Sequence, residues 1–301
     1  MASTLLVTGA SGHLGRLVLE HLTTGYAVQG AKIIATSRSP EKLKDFAQRG
    51  VDVRQASFDD DIDALAKSFA GADRMLMIST DSFTGPLSRT KQHTRALEAA
   101  NKAGVKHVIY TGVVDAKTSP LSLAEDHAAT EVAIEKSAFA NNHTILRNNF
   151  YAELLLVSLP PALASGQLFS AAGDGTIAYI ARADCAKAAA HALASSFTGK
   201  RIVDVTGPEA LAHKDIARIA AEVTSRPCTG VPVTVEQLAD GMKKAGLPAA
   251  LADMYAGIDV AVSQGALQRV GDGVKSLTGD APQSVKNFLT VHASALSGGT
   301  K

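Results

Sequence analysis

Thr8-Gly9-Ala10-Ser11-Gly12-His13-Leu14-Gly15 follows a short apolar run, Leu5-Leu6-Val7, and opens a helix-forming segment. Gly9 and Gly12 permit a tight turn and let a pyrophosphate approach the backbone, while Gly15 lets the helix lie close against the strand. A helix start also offers unpaired N–H groups and the positive end of a dipole to phosphate oxygens. The spacing is Gly-x-x-Gly-x-x-Gly, one residue longer between the first two glycines than the usual dinucleotide fingerprint. The Gly-Lys-Ser/Thr of a nucleoside-triphosphate loop is missing. A sharp turn that binds nothing is the plainer alternative, and three spaced glycines at the first strand–helix junction weigh against it.

Further along, Thr36-Ser37-Arg38-Ser39 ends the second apolar run. An NAD site usually places Asp or Glu about 20 residues beyond the glycines, to accept from a ribose hydroxyl. Arg38 stands there instead, with Lys42 one helical turn on. A guanidinium clamps a 2′-phosphate that a carboxylate would repel, so the cofactor expected is NADPH; a solvated basic loop is the alternative. Asp59-Asp60-Asp61 ends the third run. One of these carboxylates can accept from an adenine amino group, and Asp60 or Asp61 can cap the helix that begins near Ile62. Ser79-Thr80-Asp81 ends the fourth run, where chain crossing the sheet edge lines the cofactor crevice.

These residues fall at regular junctions. Thr4–Thr8, Lys32–Thr36, Val51–Ala56, Arg74–Ser79, His107–Thr111 and Thr144–Arg147 are apolar with little polar alternation, as in strands covered on both faces. Between them lie helix-length segments: Leu14–Leu22, Glu41–Arg49, Ile62–Phe69, Arg89–Ala103 and Leu123–Ala138. In the fourth of these, Leu97, Ala100 and Gly104 follow helical spacing, and Gly104 stands where a helix-ending glycine belongs. Strand and helix in alternation predict a Rossmann-type α/β fold, a doubly wound parallel sheet with right-handed crossovers.

After Arg147 the rhythm loosens under many prolines and glycines. Ala183–Ser195 reads as one more helix, and the chain is mostly helical from Glu236. The expectation is a dinucleotide-binding domain over residues 1–150 and a small, mostly helical substrate-binding lobe over 151–301. The boundary is soft, and some later segments return to the sheet.

Composition excludes several classes. Thirty basic and twenty-nine acidic residues leave a net charge of +1, which gives no overall pull toward nucleic acid or an anionic membrane. The most apolar later segment, Leu154–Ala164, is interrupted by Pro160 and Pro161 and falls short of the ~20 residues that cross a bilayer. No secretory signal is expected, since the run Leu5-Leu6-Val7 breaks at Gly9, and two cysteines, Cys185 and Cys228, suit a reducing compartment. A cytoplasmic protein, monomer or homodimer, is expected. No His-Glu-x-x-His, paired Cys-x-x-Cys or calcium loop is present, so no metal site is expected.

The combination of Thr8–Gly15, Arg38, Tyr110-Thr111-Gly112, Thr118-Ser119-Pro120-Leu121 and Leu146-Arg147-Asn148-Asn149-Phe150-Tyr151 resembles the NmrA-like branch of atypical short-chain dehydrogenases. Within it the resemblance is greatest to reductases of quinones and triphenylmethane dyes. Ala171-Ala172-Gly173-Asp174-Gly175, Ala181-Arg182-Ala183-Asp184 and Gly246-Leu247-Pro248 extend it nearly end to end. It implies that Gly9, Ala10, Ser11, Gly12, His13, Leu14, Arg38, Ser79, Thr80 and Asp81 hold the cofactor, and that Asn148, Asn149 and Phe150 lie near the nicotinamide. His13 stands where relatives often carry Gln.

Ordinary short-chain dehydrogenases use a Tyr with a Lys four residues later as a proton relay. Here Tyr26, Tyr110, Tyr151, Tyr179 and Tyr255 are followed at that distance by Gly30, Val114, Leu155, Ala183 and Asp259. The pair is missing, and His127 and Glu131 occupy the corresponding helix. Reducing a simple ketone makes a basic alkoxide that needs an acid. A quinone or a cationic dye gives a delocalised anion or a neutral product, and positioning does most of the work. Thr111, His127 and Tyr151 are the candidate hydrogen-bond donors. Each also has a plainer reading: a strand end, a solvated helix face, and a core or pocket wall.

The expected function is therefore NADPH-dependent reduction of quinones or similar electron-poor aromatic acceptors. The alternative is an NADP-binding redox sensor that regulates a partner without turnover, as some NmrA-like proteins do. The apolar stretch Phe150–Leu159 favours the enzyme. A reductase of plant-type phenolics is weaker, because its lysine would fall at Glu131.

Overall fold

The computed structural model describes residues 3–24, 31–80 and 86–296. Six parallel strands come from the first half of the chain: β1 (Leu5–Val7), β2 (Ile33–Ser37), β3 (Asp52–Gln55), β4 (Arg74–Met77), β5 (His107–Val113) and β6 (His143–Asn148). Between them run α1 (His13–Thr23), α2 (Lys44–Gln48), α3 (Ile62–Phe69), α4 (Arg89–Lys102) and α5 (Ser122–Lys136). In the second half follow α6 (Leu155–Ser165), β7 (Gln167–Ser170), β8 (Thr176–Ile177), α7 (Arg182–Ala194) and β9 (Lys200–Val205). Next come β10 (Leu211–Ala212), α8 (His213–Thr224), β11 (Thr229–Pro232), α9 (Val235–Lys244) and α10 (Ala249–Ser263). Last are α11 (Gly273–Thr278), α12 (Val285–Val291) and α13 (Ala293–Leu296).

The central sheet has seven strands in the order β3-β2-β1-β4-β5-β6-β9, all parallel. Buried runs such as Leu5-Leu6-Val7 and the whole of β5 sit in strands covered on both faces. On one face α1, α2, α7 and α11 cover Leu5, Val7 and Ile109 with Leu14, Val18, Phe46, Ala189 and Val274. On the other, α3, α4 and α5 pack Leu65, Phe69, Leu97 and Ile134 on Leu6, Met75 and Tyr110. The chain leaves β1 outward to β2 and β3, then crosses back to β4. That reversal opens a crevice at the carboxyl ends of β1 and β4.

Local chemistry sets the ends of the helices that border the crevice. Asp61 caps α3 by accepting from Ala64 N–H at 2.8 Å. Gly104, at φ 83°, follows α4. Its amide donates to Asn101 and that of Val105 to Ala100, the paired bonds of a helix-ending glycine. The segment expected as one helix over 41–49 is a 3₁₀ turn at Pro40–Leu43 followed by the short α2. Helix α6 runs through Pro160 and Pro161. The carbonyls left without an amide donor belong to Leu156 and Val157, and Val157 is exposed to water.

The second half supplies β9, α7 and α11 to the central layers as well as a lobe built on α8, α9, α10, α12, α13 and the pairs β10–β8 and β11–β7. Asn149 ties the two parts together: its side-chain N–H donates to Leu267 O at 2.9 Å, and its Oδ1 accepts from Phe150 N–H at 2.8 Å. Asp259 on α10 does the same within the lobe, accepting from Ser170 Oγ and Ala171 N–H at 2.8 and 2.7 Å. Among the described residues no helix is long and apolar enough to cross a membrane.

Candidate functional site

A cleft of about 680 Å³ lies along the carboxyl ends of β1–β5, within the usual size of small-molecule sites. Its floor is the turn from β1 to α1. Gly9 takes φ 60° and accepts from Gly12 N–H at 3.0 Å. A Cβ at Gly15 would sit 2.5 Å from Gly9 O and 2.7 Å from Ala10 Cα, so only glycine lets the helix approach this closely. Helix α1 begins at Gly12 with no side-chain cap, and its first amides have no partner within the helix.

One end of the cleft is polar and basic. Ser37 Oγ lies 2.6 Å from Ser11 Oγ and accepts from Ser39 N–H at 2.9 Å, which joins the turn after β2 to the glycine turn. Arg38 and Lys42 line the wall there, and Arg16 braces Lys42 by donating to its carbonyl at 2.6 Å. The three aspartates divide their work. Asp59 lines the cleft and accepts from Gln92 Nε2 at 3.0 Å, Asp60 accepts from Ser57 N–H at 2.7 Å, and Asp61 is the α3 cap.

At the other end Thr111, Leu123, His127, Tyr151 and Arg182 meet Ile78, Ser79 and Thr80. Thr111 Oγ1 accepts from Ser79 N–H at 2.9 Å and points its own proton at Ser79 Oγ, 3.4 Å away. Burial pushes the Tyr151 phenol well above its ordinary range. Asn148 donates to that phenol at 3.4 Å, and the Arg182 guanidinium lies 4.8 Å over the ring. His127 is buried, against the expectation of a solvated face: Nδ1 is 2.7 Å from Tyr110 Oη, and Nε2 is 3.2 Å from Arg89 Nη2. Burial first, and the Arg89 charge second, hold its imidazole down at about 4.

Of the residues expected to hold a cofactor, Gly9, Ser11, Gly12, His13, Leu14, Arg38, Ser79 and Thr80 line this cleft. Ala10 does not: it is fully buried and its amide donates to Thr36 O at 3.0 Å. Asn148, Asn149 and Phe150 also lie outside the lining, because Asn149 is spent on Leu267 and Phe150 packs on the lobe core. Asp81 lies outside the described residues. Glu131 is completely buried and forms a two-pronged pair with Arg147, at 2.8 and 2.7 Å. It stands as a structural carboxylate where a relay lysine would be.

The sequence reading passed over Arg89, Gln92 and His93. They continue at helical spacing into Ala96, Leu97 and Ala100, and all six are buried. A polar residue on the inward stripe of a helix was the available signal. A second depression, about 690 Å³, lies at the amino ends of β6 and β9 between His143, Lys200 and Ile202, away from every residue above.

Residues 1–255 match the NmrA-like family. The chain is 37% identical over 268 residues to quinone oxidoreductase 2 of Escherichia coli K12, covering 87% of this chain and 89% of that one. A crystal structure of the NADPH-dependent quinone oxidoreductase from Escherichia coli complexed with NADPH superposes with a TM-score of 0.89 at 34% identity, over 96% of this chain and 99% of that one. The Citrobacter sp. triphenylmethane reductase complexed with NADP(H) gives 0.87 at 32% identity, with the same coverage of 96% and 99%. A glycine turn, a basic loop after β2 and a sheet that reverses beside them thus stand in a chain that belongs to the NmrA-like family.

Proposed function

We propose that the protein is an NADPH-dependent reductase of quinones or similar electron-poor aromatic acceptors. One observation carries this reading: the glycine turn, Arg38 and Lys42 share a cleft with Thr111, His127 and Tyr151. The cleft fits the cofactor in its own geometry. An added side chain at Gly15 would force the turn apart, since its Cβ would lie 2.5 Å from Gly9 O, and one at Gly12 would crowd the same oxygen at 3.3 Å. Thr80 Oγ1, in the wall, is buried without a partner among the described residues, a polar atom that a ligand can satisfy.

In this reading the backbone of Gly9–Leu14, except Ala10, holds the pyrophosphate. Arg38 and Lys42 take the 2′-phosphate, Asp59 takes the adenine amino group, and Ser79 and Thr80 border the nicotinamide half. Bound NADPH would supply the hydride. The protein orients the acceptor against Tyr151 and Leu123, which offer an aromatic and an apolar wall.

The hydrogen-bond pattern bears on which acceptor is suited. Thr111 has its hydroxyl committed to Ser79, Tyr151 is a poor acid, and His127 faces a guanidinium. No strong acid stands at the cleft among the described residues, which suits an acceptor whose reduced form is a stabilised anion. The test is a titration with NADPH and NADH followed by turnover with neutral quinones, cationic dyes and simple ketones. NADPH oxidation by quinones with no reduction of ketones is expected. No NADPH binding would end this reading, and tight binding without turnover on any acceptor would replace it with the nucleotide-sensing regulator.

A further inference from the structure

The loop after β4 enters the cleft wall at Ser79 and Thr80, and the first turns of α4 grip it. Arg89 Nε donates to Thr80 O at 2.8 Å, and Thr80 N–H donates to His93 Nε2 at 3.0 Å. Arg89 and His93 are one helical turn apart, and both are buried. A guanidinium has donors only. The ring nitrogen opposite Arg89 Nη2, His127 Nε2, is therefore the acceptor. The single imidazole proton lies on Nδ1 and is donated to Tyr110 Oη. The same reasoning fixes His93. With Nε2 accepting from Thr80, Nδ1–H donates to Thr130 Oγ1 at 2.8 Å, and Thr130 donates to Asp126 O at 2.8 Å.

We propose that Arg89 is a positioning residue: it holds His127 in the neutral Nδ1–H tautomer and, together with His93, fixes Thr80 against the cleft. His127 then has no proton to give to an acceptor, since Nε2 carries none and the Nδ1 proton is tied to Tyr110.

Among the described residues, the groups that face this imidazole are Arg89 and His93 from α4, Tyr110 from β5 and Asp126 from α5, with Glu131 acting on Tyr110 from the next turn. Asp126 Oδ2 is 3.7 Å from Arg89 Nη1 and also accepts from Thr90 Oγ1 at 2.8 Å, so its pull toward a charged imidazole is shared. Burial and Arg89 prevail over it, and His93 is held down at about 3 by the same causes. Losing Arg89 removes both the donor that fixes Nε2 and the charge that opposes protonation.

Nitrogen-15 NMR of the full-length protein reads the tautomer directly. His127 is expected to show Nδ1–H signals unchanged across about pH 5.5–8.5, the range in which an ordinary histidine titrates. In Arg89→Met the ring is expected to titrate with a midpoint at least about one unit higher than in the parent. The kcat for NADPH-dependent reduction is expected to fall about tenfold and to gain an inflection at that midpoint. Arg89→Lys keeps a cationic donor and should keep the tautomer, with a smaller loss of kcat.

A His127 protonated on Nε2, or titrating near neutrality in the parent protein, overturns the proposal. So does an Arg89→Met protein whose imidazole signals and kcat are unchanged. The NMR arm needs neither cofactor nor acceptor, and where Arg89→Met does not fold the parent spectrum can still overturn the proposal and Arg89→Lys still tests the role of the cation. The kinetic arm rests on the proposed reductase activity, so an inactive parent protein with the expected tautomer would refute that activity alone.

Discussion

The two ends of the cleft are built from different materials. At the end that faces β2 and β3 the work falls to backbone geometry and permanent charge: a turn that tolerates only glycine at Gly15, and the guanidinium and ammonium of Arg38 and Lys42. At the end that faces β4, β5 and α5 it falls to a buried network of neutral groups: Tyr110, His127, His93 and Thr130 arranged around Arg89. The first kind of site is local in sequence, so a few residues carry it wherever they fall. The second joins residues far apart in the chain and exists only once the helices have packed.

The largest effect is expected at the glycine turn. In Gly15→Val a Cβ would meet Gly9 O at 2.5 Å and backbone atoms of Ala10 at 2.7 and 2.9 Å. Backbone cannot rotate away as a side chain can, so the turn must open. NADPH affinity, read by fluorescence titration, should fall by more than about 100-fold, with a stability loss of about 1–3 kcal/mol from the overpacked junction. An unchanged affinity would mean that the phosphates bind elsewhere and that the contrast between the two ends is mistaken.

Arg38→Ala should act more narrowly. A charge-assisted hydrogen bond to phosphate contributes about 1.5–3 kcal/mol, so NADPH affinity should drop by about 10- to 100-fold. NADH, without the extra phosphate, should bind as before. Equal losses for both would remove Arg38 from the 2′-phosphate and leave it a solvated loop residue.

This contrast also explains what could be read from the sequence. The strand–helix alternation of residues 4–138, the glycine turn and the exchange of a carboxylate for Arg38 are local patterns, whereas the order β3-β2-β1-β4-β5-β6-β9 is settled only by how the helices pack. His127 was legible as a candidate, its burial was not: the ring is enclosed by Arg89, the first residue of α4, and by Tyr110 on β5. The clamp from Asn149 to Leu267 was not legible, because an Asn beside a strand end reads alike whether it faces a ligand or holds a distant loop. Glu131 was seen as the absence of a lysine, and its partner Arg147 emerged only from the packing of α5 on β6.

The remaining prediction separates the two ends by their response to acid. Burial holds His93 and His127 down at about 3 and 4, and burial with neighbouring cations holds His107 at about 3, against 6.5 for an unperturbed imidazole. The unfolded chain therefore takes up protons near pH 6.5 that the folded protein refuses. Stability from these groups is complete above that pH and is lost as pH falls toward 4. By about pH 5 each buried imidazole should cost on the order of 1–2 kcal/mol, visible as a falling Tm between about pH 7 and 5. At the basic end the guanidinium of Arg38 stays charged across this window, and the phosphate of the ligand brings a pH response of its own. At the network end the tautomer of His127 survives until the fold itself gives way. Turnover per folded molecule at saturating NADPH should accordingly carry no imidazole limb, and His127→Gln, which removes one of the three ionisations, should make the fall in Tm shallower while leaving a rate profile that is already level. A rate that falls with an inflection near 6.5 while Tm holds steady would put a working acid where the structure has a locked hydrogen bond.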